Sequence, residues 1–298
     1  MNDKPKRRWF RFSLRSLLVL VIVLAIPLAW IAKERRQSQR EQEIAEQLRQ
    51  LGASNIEFGG PYNSMDERLR DQPQGWCRNV ARQVLGERIS WLELPPDSTN
   101  LRPLIGLTNL QLLDAANTKI SDLTPLAELY ELRWIDFDST NVSDLSPLMG
   151  LRNLKSIWLH STLVSDLSPL TGLTNLDELA VTNSKVSDIR PLAGLMNLTI
   201  LNLGQSEVNE VASLVELKKL LILDLSQTKV EDVTPLAELT SLEFVRLKGT
   251  NVSDVSSLAA LTQLKEIDLT NTQVSDEQVK LLQKALPNCK IKHESSLP

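Results

Sequence analysis

Residues 141–162 read NVSDLSPLMGLRNLKSIWLHST, and this 22-residue pattern recurs without insertion or deletion along most of the chain. An aliphatic residue recurs at its second position, and an acidic residue follows two positions later in every copy. The aliphatic positions are Ile120, Val142, Val164, Val186, Val208, Val230, Val252 and Val274. The acidic positions are Asp122, Asp144, Asp166, Asp188, Glu210, Asp232, Asp254 and Asp276. Repetition at a fixed period of about 20 to 50 residues is typical of solenoids, so we predict about eight stacked units.

Each unit can be interpreted physically. In residues 154–159, LKSIWL, the side chains of Ile157 and Leu159 alternate inward as they do in a half-buried strand. Residues 164–170, VSDLSPL, turn the chain back, and Pro169 suits the start of a short helical turn. We therefore predict an α/β repeat solenoid, a horseshoe with a parallel concave sheet and short 3₁₀ or helical turns on the convex side. One unit cannot bury its leucines alone, but a stack of units can.

A hydroxyl-bearing residue also recurs with the same period. We predict that these hydroxyls bond backbone groups at the turn after each strand, which is a structural role and not a catalytic one. The column consists of Thr118, Thr140, Thr162, Ser184, Ser206, Thr228, Thr250 and Thr272.

The phrase NVSDLSPLMGL at residues 141–151 resembles the internalin type of bacterial leucine-rich repeat. The resemblance covers residues 104–276. It implies a curved, right-handed solenoid whose concave sheet binds proteins or glycans. The sequence departs from the family pattern where Thr stands in place of the usual Asn, as at Thr140.

The N-terminal region carries an uncharged apolar run, SLLVLVIVLAIPLAWIA, at residues 16–32. With Leu14 in front of it, this run approaches the ~20 residues that cross a bilayer core. A cleaved signal peptide is the alternative, but Pro27 and Trp30 fit poorly beside a small-residue cleavage site. Six basic residues before the run and four behind it favour a cytoplasmic N-terminus, with the repeats outside the cytoplasm. We therefore predict one uncleaved transmembrane helix.

The other segments follow from composition. Residues 34–51 contain good helix formers and one thin apolar stripe, so we predict a helical stalk, with a dimerising coiled coil as the alternative. Ser275 is placed to cap a final helix. The predicted organisation is a basic cytoplasmic tail at 1–15, a transmembrane helix at 16–32, a stalk at 33–52, a linker and N-terminal cap at 53–103, repeats at 104–276, and a C-terminal cap helix and tail at 277–298.

Charge and composition exclude several classes of function. Residues 1–40 hold ten Lys or Arg and two acids, while the whole chain has a net charge of -4, so the main body is acidic. An acidic body argues against nucleic acid as the partner. The two histidines and two cysteines have no metal-ligand spacing, and no catalytic motif is present, so we expect no metal, no cofactor and no enzymatic activity.

Candidate binding residues lie on the strands, between the leucines, where side chains point outward. Two clusters differ from the rest of the outward positions. The first is Trp134, Asp136, Asp138, Trp158 and His160, and the second is Phe244, Arg246 and Lys248. Aromatic side chains beside charges are typical interface anchors, although cross-strand packing and ion pairing would explain both clusters without a partner.

The sequence therefore predicts a membrane-anchored protein that binds an unidentified protein or glycan through its concave face without catalysis. The alternatives are a scaffold component of the envelope that acts by self-association and an adaptor that faces the cytoplasm. The sequence does not distinguish them, because a repeat scaffold specifies a shape and not a ligand.

Overall fold

The structure is a computed structural model that describes residues 14–53, 55–59 and 88–294; the side chains of residues 14–28, 59 and 88 are not described. The chain divides into two compact units, one of residues 1–44 and 59–88 and the other of residues 45–58 and 89–298. Within the predicted linker and N-terminal cap at 53–103, residues 54 and 60–87 lie outside the described residues.

In the first unit, the described structure is mainly helix α1, which spans Leu14–Gln50 and continues into the second unit. The predicted transmembrane helix and stalk therefore form one continuous helix rather than two segments. It runs through Pro27. It ends before Gly52, whose φ of 99° suits glycine as the stop residue.

Among the described residues, no helix is both long enough and apolar enough to span a bilayer. The predicted span at residues 16–32 lies within α1, but its side chains are described only from Ala29 onward. Most side chains of the predicted membrane anchor are therefore not described.

The second unit is built on one eleven-stranded sheet in which the strands follow one another in chain order. The neighbouring pairs from β2 to β11 are all parallel. The strands are β1 (Ile56–Gly59), β2 (Arg88–Glu93), β3 (Leu112–Asp114), β4 (Trp134–Asp136), β5 (Ser156–Trp158), β6 (Glu178–Ala180), β7 (Ile200–Asn202), β8 (Ile222–Asp224), β9 (Phe244–Arg246), β10 (Glu266–Asp268) and β11 (Lys290–Lys292). Strands β3 to β10 begin 22 residues apart, which is the period of the sequence repeat.

Between β2 and β10, short 3₁₀ helices return the chain from each strand to the next. They are Arg102–Leu104, Thr124–Leu126, Ser146–Leu148, Ser168–Leu170, Arg190–Leu192, Ala212–Leu214, Thr234–Glu238 and Ser256–Ala260. An aspartate two residues earlier accepts the first backbone N–H of most of them, as Asp144 does from Ser146 at 2.8 Å. The recurring acid is therefore a local cap, which explains its periodicity.

The core consists of stacked rows of aliphatic side chains. Leu113, Ile135, Ile157 and Leu179 lie at the same level of successive strands and are completely buried. At the C-terminal end, α2 (Asp276–Ala285) covers the last unit, and Ser275 caps it by accepting the N–H of Gln278, as predicted.

The hydroxyl column has the predicted structural role. Thr140 Oγ1 donates to the carbonyl of Phe137 at 2.7 Å, and the same bond recurs in all but one of the units. At Ser184 the hydroxyl instead accepts the N–H of Val186. The side chains at this level are buried, so the bond satisfies a hydroxyl that would otherwise be costly to bury.

One residue in each unit, just before the hydroxyl residue, has a positive φ. Seven of these eight residues carry side chains, with φ between 49° and 58°, and the eighth is Gly249 at 69°. The left-handed conformation turns the chain out of the strand once per unit. The column is Asn117, Ser139, Ser161, Asn183, Gln205, Gln227, Gly249 and Asn271.

Candidate functional site

The outward side chains of the strands form three columns on one face of the sheet, which we name the open face. The strand pairing sets these columns: Trp134 lies beside Ser156, and Asp136 lies beside Trp158. Neighbouring strands are ~4.8 Å apart, so residues in one column can touch across strands.

Trp134 and Trp158 occupy different columns of β4 and β5 but meet diagonally. Their ring centroids are 5.4 Å apart with an interplanar angle of 76°, an edge-to-face contact. Both side chains are half-buried. The Nε1 of Trp158 is buried, and no hydrogen-bond acceptor for it exists among the described residues. The predicted interface anchors therefore form a single aromatic pair.

Asp136, which the strand register places beside Trp158, is buried, with 7% of its surface exposed. Its Oδ1 accepts the backbone N–H of Asp138 at 2.8 Å. Burial, with the charges of Asp138 and Asp114 added, raises the pKa of Asp136 to about 6. Asp114, Asp224 and other members of the column accept the N–H two residues ahead in the same way. Asp136 thus holds a turn and also presents a carboxyl group at the open face.

Asp138 and His160 lie side by side, as the column predicts. Asp138 Oδ1 accepts the backbone N–H of His160 at 2.7 Å, and its Oδ2 is 3.9 Å from His160 Nε2. The other ring nitrogen of His160 contacts the hydroxyl of Thr182. Burial raises the pKa of the Asp138 carboxyl. The five residues of the first predicted cluster are therefore brought together.

The second predicted cluster is mostly neutralised within the sheet. Arg246 Nη1 is 3.3 Å from Asp224 Oδ2. The ammonium group of Lys265 lies 6.0 Å from the centre of the Phe244 ring. Lys248 is exposed and has no ion pair among the residues that the structure describes. Four strand spacings separate β5 from β9, roughly 19 Å, so the two clusters do not form one site.

Sequence reasoning overlooked an extension of the first cluster toward the N-terminus. Trp91 pairs with Leu112, and Leu112 pairs with Trp134, so an apolar row crosses three strands. An acidic row of Glu93, Asp114 and Asp136 runs beside it. Trp91 stands 21 residues before Leu112 rather than 22, so the repeat alignment does not reach it. The strand-like alternation of side chains in ISWLEL, at residues 89–94, is the sequence feature that could have revealed this extension.

The arrangement has the chemistry of a binding surface. It combines aromatic rings, an exposed Leu112 and several carboxyl groups. Across the described ranges, no group of three or more His, Cys, Asp or Glu is arranged to hold a metal ion. Cys289 is buried as a free thiol and lies far from this surface in the sheet order.

Comparison with known proteins gives similarity at the level of structure. No family model matches the sequence, and no curated protein matches it significantly. Internalin C2 from Listeria monocytogenes is 36% identical, with 59% of this chain and 78% of that chain covered and a TM-score of 0.57. A second Listeria monocytogenes internalin, inlF, is 26% identical, with 68% and 74% covered and a TM-score of 0.50.

More distant structures share the fold alone. A leucine-rich-repeat protein of Leptospira interrogans is 17% identical, with 67% of this chain and 58% of that chain covered and a TM-score of 0.60. The ectodomain of the Arabidopsis thaliana receptor kinase GASSHO1/SCHENGEN3, solved in complex with CASPARIAN STRIP INTEGRITY FACTOR 2, is 20% identical, with 68% and 26% covered and a TM-score of 0.58. The fold and these likenesses define a leucine-rich-repeat protein. Within that class, the chain belongs to the bacterial proteins of the internalin-like type.

Proposed function

We propose that this protein binds another protein, without catalysis, through the N-terminal part of the open face, around Trp134, Asp136, Asp138, Trp158 and His160. The observation that best supports this proposal is the half-buried Trp134–Trp158 pair. It lies beside the carboxyl groups of Asp136 and Asp138, whose pKa values are raised. Asp136 accepts the N–H two residues ahead, as Asp114 and Asp224 do in units that have no tryptophan pair, so the repeat itself does not require the tryptophans.

The proposal agrees with the anatomy of protein interfaces. Tryptophan is enriched among the residues that contribute most to binding, and such residues cluster in partly desolvated centres. Internalin C2 and the plant receptor ectodomain share the repeat architecture, and the latter was solved in complex with another protein factor. The architecture therefore supports a binding role, while the ligand depends on this chain's own open face.

Site-directed photocrosslinking tests the proposal. A benzophenone amino acid replaces Leu112, which is 39% exposed on the open face, in the full chain within its own cells. The control probe replaces Tyr130, which is 56% exposed outside the strands. We expect an adduct with another protein from position 112 only, and its loss when Trp134→Ala and Trp158→Ala are added.

The same experiment decides between the alternatives. An adduct of twice the chain's mass would favour self-association as a scaffold component. Equal adducts from both positions, or an adduct that survives both tryptophan substitutions, would contradict binding at this site. A circular dichroism spectrum of the double variant verifies that it folds.

We further propose, on the sequence alone, that residues 16–32 anchor the chain in a membrane with the repeats outside the cytoplasm. A reporter that is active on only one side of the membrane, fused after Pro298, tests this orientation. An external signal is expected. A cytoplasmic signal would instead favour an adaptor that faces the cytoplasm. Recovery of the chain in the soluble fraction of lysed cells, rather than with the membranes, would refute the anchor.

A further inference from the structure

Six residues of β3 to β5 and the turn that follows β4 form what we name the acidic aromatic patch: Leu112, Trp134, Trp158, Asp114, Asp136 and Asp138. The strand register places Asp114 beside Asp136, and Asp138 follows two residues later on the same side. The patch therefore sets three carboxyl groups next to one another and next to two indole rings. Like charges directly opposite on neighbouring strands destabilise a sheet.

The three carboxyl groups have no Lys or Arg counter-ion within the described residues; only Asp138 has a basic neighbour, the His160 ring at 3.9 Å. The other end of the open face is different. There, Arg246 pairs with Asp224 at 3.3 Å, Lys265 with Glu243 at 2.6 Å, and Lys290 with Glu266 at 3.3 Å. Near its C-terminal end the open face thus pairs its acidic groups with Lys or Arg, whereas the carboxyl groups of the patch have no Lys or Arg partner among the described residues.

The aromatic pair complements these carboxyl groups. A cation that approaches an indole ring is attracted by the negative face of the ring, and a carboxylate beside it adds a charge-assisted hydrogen bond. The buried Nε1–H of Trp158 has no acceptor among the described residues, and a buried donor without an acceptor is unfavourable. A polypeptide that carries a positive side chain supplies the cation that the carboxyl groups and the indole rings favour.

We propose that the acidic aromatic patch binds an arginine side chain of the partner protein, held between the carboxyl groups of Asp136 and Asp138 and the ring of Trp134. This inference rests on the proposed function and names the chemistry of the partner. Arginine fits better than lysine because its planar guanidinium group bonds a carboxylate with two N–H groups and stacks on an aromatic ring. The excess of acidic charge disfavours a nucleic acid as the occupant.

Nuclear magnetic resonance on the full chain in detergent micelles tests this inference. The chain is labelled with ¹⁵N at its six tryptophans, and Trp158→Phe assigns the indole signal of Trp158. The probe is a six-residue peptide of alternating leucine and arginine with blocked ends. The control peptide carries citrulline, which has nearly the shape of arginine without its charge.

We expect a saturable shift of the Trp158 indole signal with the arginine peptide and about tenfold weaker binding of the citrulline peptide, equivalent to ~1.4 kcal/mol. The combined variant Asp136→Asn and Asp138→Asn should weaken binding of the arginine peptide by at least about tenfold. Asparagine keeps an oxygen for the two backbone bonds, so the turns remain. Asp224→Asn, a matched change at the paired end of the face, should leave binding unchanged.

Three results would overturn the inference: no saturable shift, equal affinity for the citrulline peptide, or full affinity in the double asparagine variant. A shift that follows protein concentration without peptide, and that the double variant abolishes, would assign the patch to a second copy and would also overturn it. The crosslinking at position 112 separates the two proposals. If that adduct persists while the arginine peptide fails, only the cation chemistry is refuted.

Discussion

At the scale of single residues, Asp136 shows how one position serves both the fold and the surface. Its carboxyl group holds the turn after β4 as its counterparts do in other units, but it is buried and lies near the carboxyl groups of Asp114 and Asp138. Asp122 and Asp144 are exposed and accept backbone and side-chain hydrogen bonds, and their pKa values are lowered. The same residue type thus has opposite shifts, because one environment removes water and the other supplies hydrogen-bond donors.

The pKa of about 6 for Asp136 predicts a pH dependence of stability. The folded chain binds this proton more tightly than the unfolded chain, whose Asp pKa is ~3.9, so this group stabilises the fold at low pH and that contribution is lost as pH rises from about 4 to about 6. Asp136→Asn should raise the free energy of unfolding at pH 7 by on the order of 1 kcal/mol, a value discounted for solvent screening.

Urea unfolding of both chains at pH 4 and pH 7 measures this effect. The two chains should differ less at pH 4 than at pH 7. The matched variant Asp224→Asn, whose carboxylate is paired with Arg246, should not stabilise the chain at pH 7. Equal stability of Asp136→Asn and the parent chain at both pH values would contradict the buried, uncompensated charge.

A core residue gives a second prediction at this scale. Leu179 lies at the centre of β6 and is completely buried. Leu179→Ala should lower the free energy of unfolding by ~2–5 kcal/mol, because it removes buried methyl groups and leaves a cavity. Lys185→Ala, at an exposed position nearby, should change it by less than ~0.5 kcal/mol. Similar effects of both changes would show that the strand register is wrong.

At the scale of the repeat element, the hydroxyl column fixes the turn after each strand. Thr140→Val keeps the shape of the side chain and removes the 2.7 Å bond to the carbonyl of Phe137. We expect a loss of ~1–3 kcal/mol, because a buried carbonyl then lacks its donor. Thr140→Ser retains the hydroxyl group and should recover most of the loss. Thermal unfolding followed by circular dichroism measures both; a neutral Thr140→Val would contradict the structural role.

At the scale of the whole repeat array, stability depends on covering the ends of the sheet stack. Helix α2 covers the last unit, and within it Leu282 is buried while its neighbour Leu281 is 60% exposed. Gln278 links the cap to the preceding unit by accepting the N–H of Val255 at 3.1 Å. A solenoid whose terminal unit loses its cover exposes the apolar row of the next one.

The neighbouring residues Leu281 and Leu282 allow a matched test of the cap. Leu282→Ala should lower the free energy of unfolding by ~2–5 kcal/mol and promote aggregation, whereas Leu281→Ala should change it by less than ~0.5 kcal/mol. Urea unfolding and light scattering measure the two outcomes. Equal behaviour of the two variants would indicate that α2 does not act as a cap.

The sequence by itself determined the repeat. A period of 22 residues, aliphatic positions and Ser275 were enough to predict the eight units, the hydroxyl column and the final helix, because these features depend on local turns and on burial that recurs from one unit to the next. Part of the column of residues with positive φ could also be predicted from the sequence, because Asn and Gly favour positive φ. These residues are Asn117, Asn183, Gly249 and Asn271.

Only the tertiary structure decided which outward residues lie together. It joined Trp134 to Trp158 diagonally and extended their row to Leu112 and Trp91. It also left the carboxyl groups beside them without a Lys or Arg counter-ion among the described residues, while it paired Arg246 with Asp224. These relations depend on strand register, on side-chain direction and on how much water burial removes. A linear pattern contains none of the three, since residues 21 to 24 positions apart become neighbours only when the units stack.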